Sequence, residues 1–412
     1  MSDTGVDVVI VGGGPVGVSM SLFCARHGLR SVVLERATSV YDLPRAIVRD
    51  DEVLRALWLH GAPDGLDTVT SPLPGAEFVD AEGRRIIGIE LPVGIEFPLS
   101  FAPAVRYYQP DLEVFLRDHA LRAGVEVRLG VEVRSVTQDA DGVTATLDDG
   151  TVVCGRWMVA ADGGSSPIRK ALGIEFVDQG FDQDWLVVDV RLHDGAGDEL
   201  PRFVQQLCDP VRPATFVPGH GPYRRWEFQL QPGEQRDEMP ARVWELLAPW
   251  LGPDEAQVVR AVVYRFHATV AATFRAGRIF LAGDAAHQMP PFLGQGLCTG
   301  IRDAANLAWK LQWVTVGRAG ERLLDTYDRE RRPHAAGVVA HAVDSGRLID
   351  QLAGRGGAQD GLDSAYGGQR PFPHHVDGFL AGDEVRRGRQ VPNVVLSDGT
   401  RLDDTVGPDL VI

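Results

Sequence analysis

Residues 7–17 read DVVIVGGGPVG, and this stretch decides the fold of the chain. Asp7 to Val11 is a short run rich in β-branched residues, which predicts a buried strand that ends at the glycines. From Val16 to Arg26 the apolar pattern becomes helical, and Gly28 stands where a glycine commonly ends a helix. Ser31 to Glu35 is a second apolar run. The sequence therefore predicts a strand, a glycine turn, a helix and a second strand at the start of the chain.

The glycines of this turn have the spacing of a dinucleotide-binding fingerprint, Gly12-x-Gly14-x-x-Gly17. The first glycine makes the tight turn, the second lets the backbone approach a pyrophosphate, and the third lets helix and strand pack closely. Glu35 ends the second strand 18 residues after Gly17, where a carboxylate can accept a hydrogen bond from a ribose hydroxyl. The glycines alone could form a plain turn, but their surroundings favour a dinucleotide without a 2′-phosphate, either FAD or NAD.

A second motif, GDAAHQMPPFLGQGLC at residues 283–298, indicates which dinucleotide is bound. It follows a predicted buried strand from Arg278 to Ala282, so Asp284 lies at a strand end, where it can accept hydrogen bonds from the ribityl chain of a flavin. The amides that follow Gly-Gln-Gly would begin the next helix with free N–H groups. Such a helix end suits the negative charge on the N1–C2=O edge of a reduced flavin. The alternative is an ordinary strand-loop-helix crossover, and the companion motifs favour FAD.

A third motif, ADGGSSPIR at residues 161–169, makes the set specific. Together the three motifs resemble the group A flavoprotein monooxygenases, which have the para-hydroxybenzoate hydroxylase fold. The DG-x-x-S-x-x-R pattern of that family is matched position by position by Asp162, Gly163, Ser166 and Arg169. In the family this pattern lies near both FAD and the transiently bound nicotinamide. The resemblance implies an α/β fold in which a Rossmann-like FAD-binding domain carries an inserted β-sheet substrate domain.

Shorter stretches bring the chain closest to the 3-(3-hydroxyphenyl)propionate hydroxylases, and the resemblance covers nearly the whole chain. These stretches are PRAI at 44–47, DDEVLR at 50–55, DPVRP at 209–213, NLAWKL at 306–311 and LDTYDRERR at 324–332. The motifs and the resemblance together predict contacts to FAD from Gly12, Gly14, Pro15, Gly17, Glu35, Arg36, Arg45, Gln109, Val133, Asp162, Gly283, Asp284, Pro291, Gly294, Gln295, Gly296, Leu297 and Cys298. Of these, Arg45 and Gln109 rest on the resemblance alone. Arg212 and Pro291 are the candidate substrate contacts.

Two departures from the family are visible in the sequence. The family usually has Asn two residues beyond Gly-Gln-Gly, where this chain has Cys298, so backbone donors to a flavin would remain but a side-chain amide contact would not. We expect Cys298 to be a small packing residue at the start of the helix. Relatives usually continue past the final strand into a small thioredoxin-like domain, whereas this sequence stops at Ile412. A truncated product and a natural short form are the two alternatives.

The pattern along the chain predicts two domains built from interleaved segments. The FAD-binding domain is expected over 1–75, 102–180 and 268–350, and the substrate-binding β-sheet domain over 76–101 and 181–267. Residues 351–412 are expected to be a linker and a C-terminal segment that could begin a truncated thioredoxin-like domain. The predicted elements include helices at Gln109–Gly124, Pro240–Leu251, Ile301–Val316 and Arg322–Ile349, the last interrupted by Pro333, a Gly- and Pro-rich linker at Ala353–His375 and a strand at Asp409–Ile412.

The composition is that of an ordinary globular protein of 412 residues, with 44% hydrophobic and 24% charged residues. Its net charge of −16 argues against nucleic acid as a partner, because phosphate binding needs clustered cations. The four cysteines show no metal-ligand spacing, so no metal site is expected. No apolar stretch is long enough to cross a membrane and the first residues lack the features of a signal peptide, so we expect a cytoplasmic protein.

The expected activity follows from the resemblance. It is hydroxylation of a phenolic aromatic substrate with FAD, NADH or NADPH and molecular oxygen, through a flavin C4a-hydroperoxide. The same motifs would serve an oxygenase that acts on aromatic polyketides or antibiotics, by hydroxylation or Baeyer–Villiger insertion, because function resides in the pocket rather than in the fold. A catalytically silent flavin-binding protein is the alternative from another class.

The sequence identifies no catalytic base. His220 lies in a Gly-His-Gly-Pro turn and is expected to be an exposed loop residue, and His287 is expected to be structural. For Arg212, pairing with a substrate carboxylate and a plain surface position are both open. A homodimer is also left open.

Overall fold

The computed structural model describes residues 5–60, 65–91, 99–355, 375, 377–378 and 391–406. Within them the strands are, in chain order, β1 (Val6–Val11), β2 (Ser31–Glu35), β3 (Val48–Asp50), β4 (Thr70–Pro72), β5 (Gly75–Val79), β6 (Arg85–Glu90), β7 (Ala104–Tyr107), β8 (Glu126–Leu129), β9 (Val133–Gln138), β10 (Val143–Leu147), β11 (Val152–Ala160), β12 (Phe176–Leu192), β13 (Val204–Leu207), β14 (Ala214–Pro218), β15 (Tyr223–Gln229), β16 (Ala256–Ala271), β17 (Arg275–Ala276), β18 (Ile279–Leu281) and β19 (His287–Gln288).

The helices alternate with these strands. They are α1 (Pro15–Arg26), α2 (Asp51–Leu59), α3 (Gln109–Arg122), α4 (Pro167–Ala171), α5 (Val243–Leu247), α6 (Gly296–Thr315), α7 (Arg322–Leu352) and α8 (Leu402–Val406). Short 3-10 turns lie at Leu66–Thr68, Met239–Arg242, Gly283–Ala285 and Pro291–Leu293. In the part of the chain that the structure describes, no helix combines the length and the apolar character needed to span a bilayer.

The first sheet is built on the predicted unit of β1, α1 and β2, which is confirmed. Its strand order is β17-β18-β11-β1-β2-β8, and β10 and β9 extend it from β11. From β18 to β8 the pairs are parallel, so these strands all end at the same edge of the sheet. β1 lies between β11 and β2, and β18 lies on the far side of β11. The three sequence motifs follow β1, β11 and β18, so the topology brings them to one edge.

The second sheet also has eight strands within the described residues, in the order β19-β16-β12-β15-β14-β13-β5-β6. β12 and β16 are long and antiparallel. One face packs Leu186, Val188, Trp226 and Phe228 against α5 in a separate apolar core. The opposite face, which carries Trp185, belongs to the main core with the first sheet. The strands come mainly from the predicted segments 76–101 and 181–267, with β19 added from outside them.

A third, small antiparallel sheet has the strand order β3-β7-β4. It follows directly on the stretch at residues 44–47 and leads into α3. Asp50 caps α2 by accepting a hydrogen bond from the amide of Val53 at 3.0 Å, so the turn from β3 to α2 is fixed locally.

Several sequence predictions need correction. The helix predicted at Pro240–Leu251 is shorter, because Met239–Arg242 forms a 3-10 turn before α5. α6 begins at Gly296 rather than Ile301, since the small residues of its first turn hid the helical pattern. α7 runs unbroken through Pro333, where packing on neighbouring elements outweighs the lost backbone hydrogen bond. Most of the predicted linker at 353–375 and the predicted strand at 409–412 lie outside the described residues.

Candidate active site

The glycine turn after β1 touches the turn after β11. Gly12 has φ of +106°, and a Cβ added to it would lie 2.2 Å from the carbonyl oxygen of Ala161. Only glycine satisfies both conditions, because other residues rarely adopt this φ and none could fit the contact. Residues 12–17 and 161–169 therefore form adjacent walls of one site.

The motif after β18 joins the same site through α6. A Cβ on Gly300 would lie 2.6 Å from Cγ2 of Val16 and 2.9 Å from Cα of Gly283. Because α1 and α6 approach this closely, the N-terminus of α1 and the turn at Gly283 lie side by side. All three motifs are thus brought together, as the sequence predicted.

The N-terminus of α1 is open to an anion. Gly14 caps the helix without any side-chain hydrogen bond, Pro15 is its first residue, and a Cβ on Gly14 would meet nothing within 4 Å. Arg117 donates to the carbonyl oxygen of Gly13 at 2.9 Å, which fixes the turn from the side. Free amides at a helix N-terminus with space before them fit the pyrophosphate of a dinucleotide.

Glu35 is held in place beside this turn. Its Oε2 accepts from the amide of Gly13 at 2.5 Å, and its Oε1 accepts from the amide of Ala37 at 2.8 Å. Each carboxylate oxygen can accept a further hydrogen bond, so the contact predicted for a ribose hydroxyl is compatible with this geometry. Arg36 is exposed, and Val133 packs half-buried at the start of β9.

Asp284 is an exposed carboxylate in the turn after β18. Its side chain is accessible but is surrounded by protein, and it accepts no hydrogen bond from any described residue. Its enclosed position raises the pKa above the usual value, while His287 and Arg45 act in the opposite direction. An acceptor of this kind in a cleft fits the ribityl hydroxyls that the sequence assigned to it.

Asp303 holds the turn that carries Asp284, and the sequence analysis did not identify it. It is fully buried and accepts from the amide of Gly283 at 3.1 Å, from Nε2 of His287 at 2.8 Å and from Nε of Arg331 at 2.8 Å. Burial would raise the pKa of Asp303, but His287 and Arg331 outweigh it and the pKa is lowered. The structural role expected for His287 is therefore the role observed.

The N-terminus of α6 completes this side of the cleft. Gln295 precedes the helix without capping it, because its Oε1 accepts instead from Arg302 at 3.0 Å. Cys298 is fully buried, with its sulfur 3.7 Å from the carbonyl oxygen of Gly294. Burial raises the pKa of its thiol to about 12, so it is neutral, and its expected role in packing is confirmed. The amides of Gly296, Leu297 and Cys298 have no backbone acceptor among the described residues.

The stretch at 44–47 is shaped from two directions. Oε1 of Gln109 accepts from the amides of Arg45 at 2.9 Å and Ala46 at 2.6 Å, and its Nε2 donates to Glu113 at 2.7 Å. Arg225, from the second sheet, donates to the carbonyl oxygens of Arg45 at 2.6 Å and of the preceding proline at 2.9 Å. The side-chain amide of Gln109 thus positions this loop, and the contact with FAD expected of Gln109 stays a prediction.

In the 161–169 motif, Oδ2 of Asp162 accepts from the amide of Ile168 at 3.2 Å, whereas its Oδ1 is buried without a partner. Burial raises the pKa of Asp162. Ser166 caps α4, and Arg169 donates to the carbonyl oxygen of Ile174 at 2.6 Å. The Ser and Arg of this motif are thus structural, and Asp162 has an oxygen left for a ligand.

The second sheet covers the cleft with one face, which we call the inner face. Cross-strand partners share a face, so it is defined by Trp185, Val187 and Asp189 on β12, Arg225, Glu227 and Gln229 on β15, Thr215 on β14, Gln206 on β13, Phe78 on β5 and Val262 on β16. At one end, Asp189 accepts from Arg225 at 2.7 Å and from Arg260 at 3.1 Å. At the other end, the ring of Trp185 lies 5.2 Å from that of Phe292, which follows Pro291.

Arg212 and His220, which the sequence singled out, are both half-buried. Arg212 forms an ion pair with Glu234 at 2.6 Å and is half-buried, so a substrate carboxylate would have to compete with Glu234. Hydrogen bonds from Arg212 lower the pKa of Glu234 to about 2. His220 is half-buried rather than exposed, with Nδ1 3.1 Å from Oγ of Ser71. Burial and the nearby Arg106 lower its pKa.

Known proteins support the cofactor that these features fit. Residues 5–342 match the family described as FAD binding domain. The "Probable NADH-specific resorcinol 4-hydroxylase" of Rhodococcus jostii (strain RHA1) is 39% identical over 83% of this chain and 65% of its own length. A 3-(3-hydroxy-phenyl)propionate/3-hydroxycinnamic acid hydroxylase of Mycobacterium sp. (strain JLS) is 40% identical over 84% of this chain and 61% of its own length.

Among solved structures, a ternary complex of aklavinone-11 hydroxylase with FAD and aklavinone is 30% identical, with a TM-score of 0.77 over 89% of this chain and 73% of that one. The resemblance noted in the sequence and the expected α/β fold are confirmed by these matches. The chain spans less than two thirds of the length of the two relatives above. Because the family match covers most of the chain and the cleft fits the cofactor, the protein belongs to the FAD binding domain family and binds FAD.

Proposed function

We propose that this protein hydroxylates a phenolic aromatic substrate with molecular oxygen, using NADH as the reductant. The observation that carries the proposal is an FAD cleft covered by the inner face of the second sheet. Bound FAD, once reduced, supplies the activation of oxygen for transfer of one oxygen atom to an aromatic ring. The relatives named above carry such activities in their names, and this chain is 39% and 40% identical to them over the matched residues.

The residues of the cleft bind and orient the cofactor. The free amides of α1 would bind the pyrophosphate, Glu35 would accept from the ribose and Asp284 would accept from the ribityl hydroxyls. The free amides that begin α6 would favour negative charge on the pyrimidine edge of the flavin. The residues at 44–47, held by Gln109 and Arg225, would lie along the ring.

The inner face of the second sheet also excludes water from the space over the cofactor. Phe292 packs among Trp185, Phe181 and Phe266 with ring centroids 5.2, 5.8 and 6.2 Å apart, so the turn after Pro291 is joined to the sheet by an apolar cluster. A dry site matters because water access diverts activated oxygen to hydrogen peroxide.

Nicotinamide is proposed to bind transiently, because the sequence holds no second dinucleotide fingerprint. NADH is favoured over NADPH because the first relative is named as NADH-specific. Comparison of steady-state rates with the two nucleotides tests this choice, and a strong preference for NADPH would contradict it. The cytoplasmic location and the homodimer stay predictions.

A second candidate is oxidation of a larger polycyclic aromatic compound. It is favoured by the structural likeness to aklavinone-11 hydroxylase. One experiment separates the candidates. The FAD-loaded protein is incubated with NADH, oxygen and a panel of phenols and polycyclic aromatics, and products are identified by mass. NADH oxidation that depends on a simple phenol, with a product heavier by one oxygen atom, supports the proposal, whereas such a product from the polycyclic compounds alone supports the second candidate. No NADH oxidation with any compound would favour a catalytically silent flavin-binding protein.

A further inference from the structure

A row of side chains crosses the middle of the inner face. Adjacent strands place Phe78, Gln206, Thr215, Glu227, Val187 and Val262 in register from β5 to β16. Oγ1 of Thr215 donates to Oε1 of Gln206 at 2.6 Å, so these two satisfy each other. Glu227 is the one ionisable residue in this row.

The position of Glu227 along β15 follows from its neighbours. Arg225, two residues before it on the same face, holds the loop at 44–45. Gln229, two residues after it, pairs with Trp185, whose ring contacts Phe292. Residues i and i+2 of a strand are about 7 Å apart, so Glu227 lies midway between the anchors of two flavin-binding loops. It therefore faces the space between those loops.

The carboxylate of Glu227 is free to receive a ligand. Glu227 is 4% exposed, and it accepts no hydrogen bond from any described residue. Its nearest cation is Nη1 of Arg225 at 3.8 Å, beyond hydrogen-bond distance. Although the residue is buried, its carboxylate oxygens keep some accessible surface. A built, buried acceptor that opens into a cleft points to a donor that arrives with the substrate.

Burial and the charged neighbours together determine the pKa of Glu227. Arg225 on β15, Asp189 on β12 and Arg260 on β16 face it, and Tyr264 accepts from Arg260 at 3.3 Å on the same side of the sheet. Burial raises the pKa of Glu227 from 4.5 to about 7, partly offset by Arg225. At neutral pH a substantial fraction of Glu227 is therefore a carboxylate. Its pKa also lies near the working pH, which suits a group that accepts and later releases a proton.

We propose that Glu227 is a catalytic residue that accepts the proton of the substrate's phenolic hydroxyl. This inference rests on the proposed function. In the step, the phenolic O–H bond breaks and an O–H bond forms on Glu227, while the electron pair stays on the phenolic oxygen. That pair is delocalised onto the ring carbons ortho and para to it, which makes them better nucleophiles towards an electrophilic oxygen.

The test compares wild type with Glu227→Gln, which removes the base, Glu227→Asp, which keeps a carboxylate, and Thr215→Val, which alters the same row without a charge. The probes are resorcinol and 3-(3-hydroxyphenyl)propionate, with their fully methylated ethers as analogues that lack the phenolic proton. Product formation is followed from about pH 5.5 to 9. Binding to the oxidised FAD-loaded protein is followed by perturbation of the flavin absorbance, without turnover.

We expect wild-type product formation to fall below about pH 7, in proportion to the carboxylate fraction. Glu227→Gln should lose about 100-fold or more of the rate and lose this limb of the profile. Wild type and Glu227→Gln should bind the methyl ethers equally. Thr215→Val should keep the fall in rate at low pH. A Glu227→Gln variant with the wild-type rate and profile would overturn the inference.

The remaining outcomes are also decisive. If wild type hydroxylates neither phenol, the proposed function fails for these substrates, and Glu227 loses its assigned role with it. If wild type is active but both Glu227→Gln and Glu227→Asp lose FAD, Glu227 is structural and the inference is overturned. If only Glu227→Gln loses FAD, the pH profile of product formation by Glu227→Asp decides. A shift of its low-pH limb relative to wild type supports the inference, and an unshifted limb contradicts it.

Discussion

Two carboxylates beside one turn have opposite environments, and this difference separates their roles. Asp303 is fully buried and accepts from an amide, a histidine and an arginine. Asp284 is exposed and accepts nothing from the described residues. A saturated carboxylate fixes the turn, whereas an unsaturated one is available to a ligand.

Asp284→Ala should therefore weaken FAD binding without destabilising the fold. A hydrogen bond to a charged group contributes about 1.5–3 kcal/mol, so the dissociation constant should rise about 10- to 150-fold. The measurement is fluorescence titration of the apoprotein with FAD. Asp325→Ala is the control, because Asp325 is an exposed partner of Arg275 outside the cleft. Wild-type affinity in Asp284→Ala would remove the residue from the site.

The raised pKa of Glu227 predicts a pH dependence of protein stability that can be measured without substrate. Its pKa is raised from 4.5 to about 7, so the folded state binds a proton more tightly than the unfolded state. Below about pH 4.5 the group is protonated in both states and does not lower the free energy of unfolding. Between this pH and about pH 7 the burial of its charge lowers the free energy of unfolding progressively, by about 3 kcal/mol in all. The stability of Glu227→Gln relative to wild type should therefore increase between these pH values in denaturant titrations. A difference that is constant with pH would show that the group is not buried as a charge.

α6 is the element that we expect to influence the reduction potential of the flavin. A Cβ on Gly296 would meet only Cγ of Met289 at 3.9 Å, so the protein itself accommodates a side chain there. Gly296→Val should push the flavin from the free amides and lower its reduction potential, because those donors favour the reduced, negatively charged form. Redox titration of the FAD-loaded protein measures the change. An unchanged potential with normal FAD binding would mean that α6 does not face the flavin N1 edge.

Two further variants of α6 act as controls. Cys298→Asn should leave the potential nearly unchanged or raise it slightly, because the backbone donors remain. Gly300→Ala should instead disturb the contact of α6 with Val16 and Gly283, and so weaken FAD binding. This contrast separates an effect on the flavin from an effect on helix packing.

At the scale of the elements, prediction succeeded where the signal was local. The glycine spacing and the β-branched run set β1, α1 and β2 at their observed bounds within a residue. The apolar pattern placed the start of α6 too late, because small residues make up its first turn, although the flavin motif had indicated the earlier start. The passage of α7 through Pro333 was missed, because tertiary packing there overrides local propensity. Asp303 was missed for a related reason, since its partners lie 16 to 28 residues away in sequence. An Arg302-Asp303 pair inside an apolar helical pattern was the available signal.

In the whole molecule, the sequence motifs identify one wall of the site and say little about the other. Motifs recur because the cofactor is constant, and they predicted where Asp284 and Glu35 would lie. Glu227, Arg225 and Asp189 come from an inserted sheet whose side chains alternate between two cores, so their face follows only from the register. His220 was expected to be exposed and is half-buried, whereas the substrate contact considered for Arg212 stays a prediction.

The contact between the second sheet and the turn at Pro291–Leu293 should decide which share of the NADH oxidised leads to hydroxylated product. Phe292→Leu keeps an apolar side chain but loosens the cluster with Trp185 and Phe181. We expect FAD binding and NADH oxidation to persist, while hydrogen peroxide per NADH rises severalfold and hydroxylated product falls, because water enters the space over the flavin. Phe228→Leu is the matched control, since Phe228 is buried on the opposite face of the same sheet, against α5. It loses the same volume from the second sheet and should leave the peroxide yield at the wild-type level. Equal peroxide yields from the two variants would mean that general loosening, rather than the seal between the inner face and the cleft, controls the fate of activated oxygen.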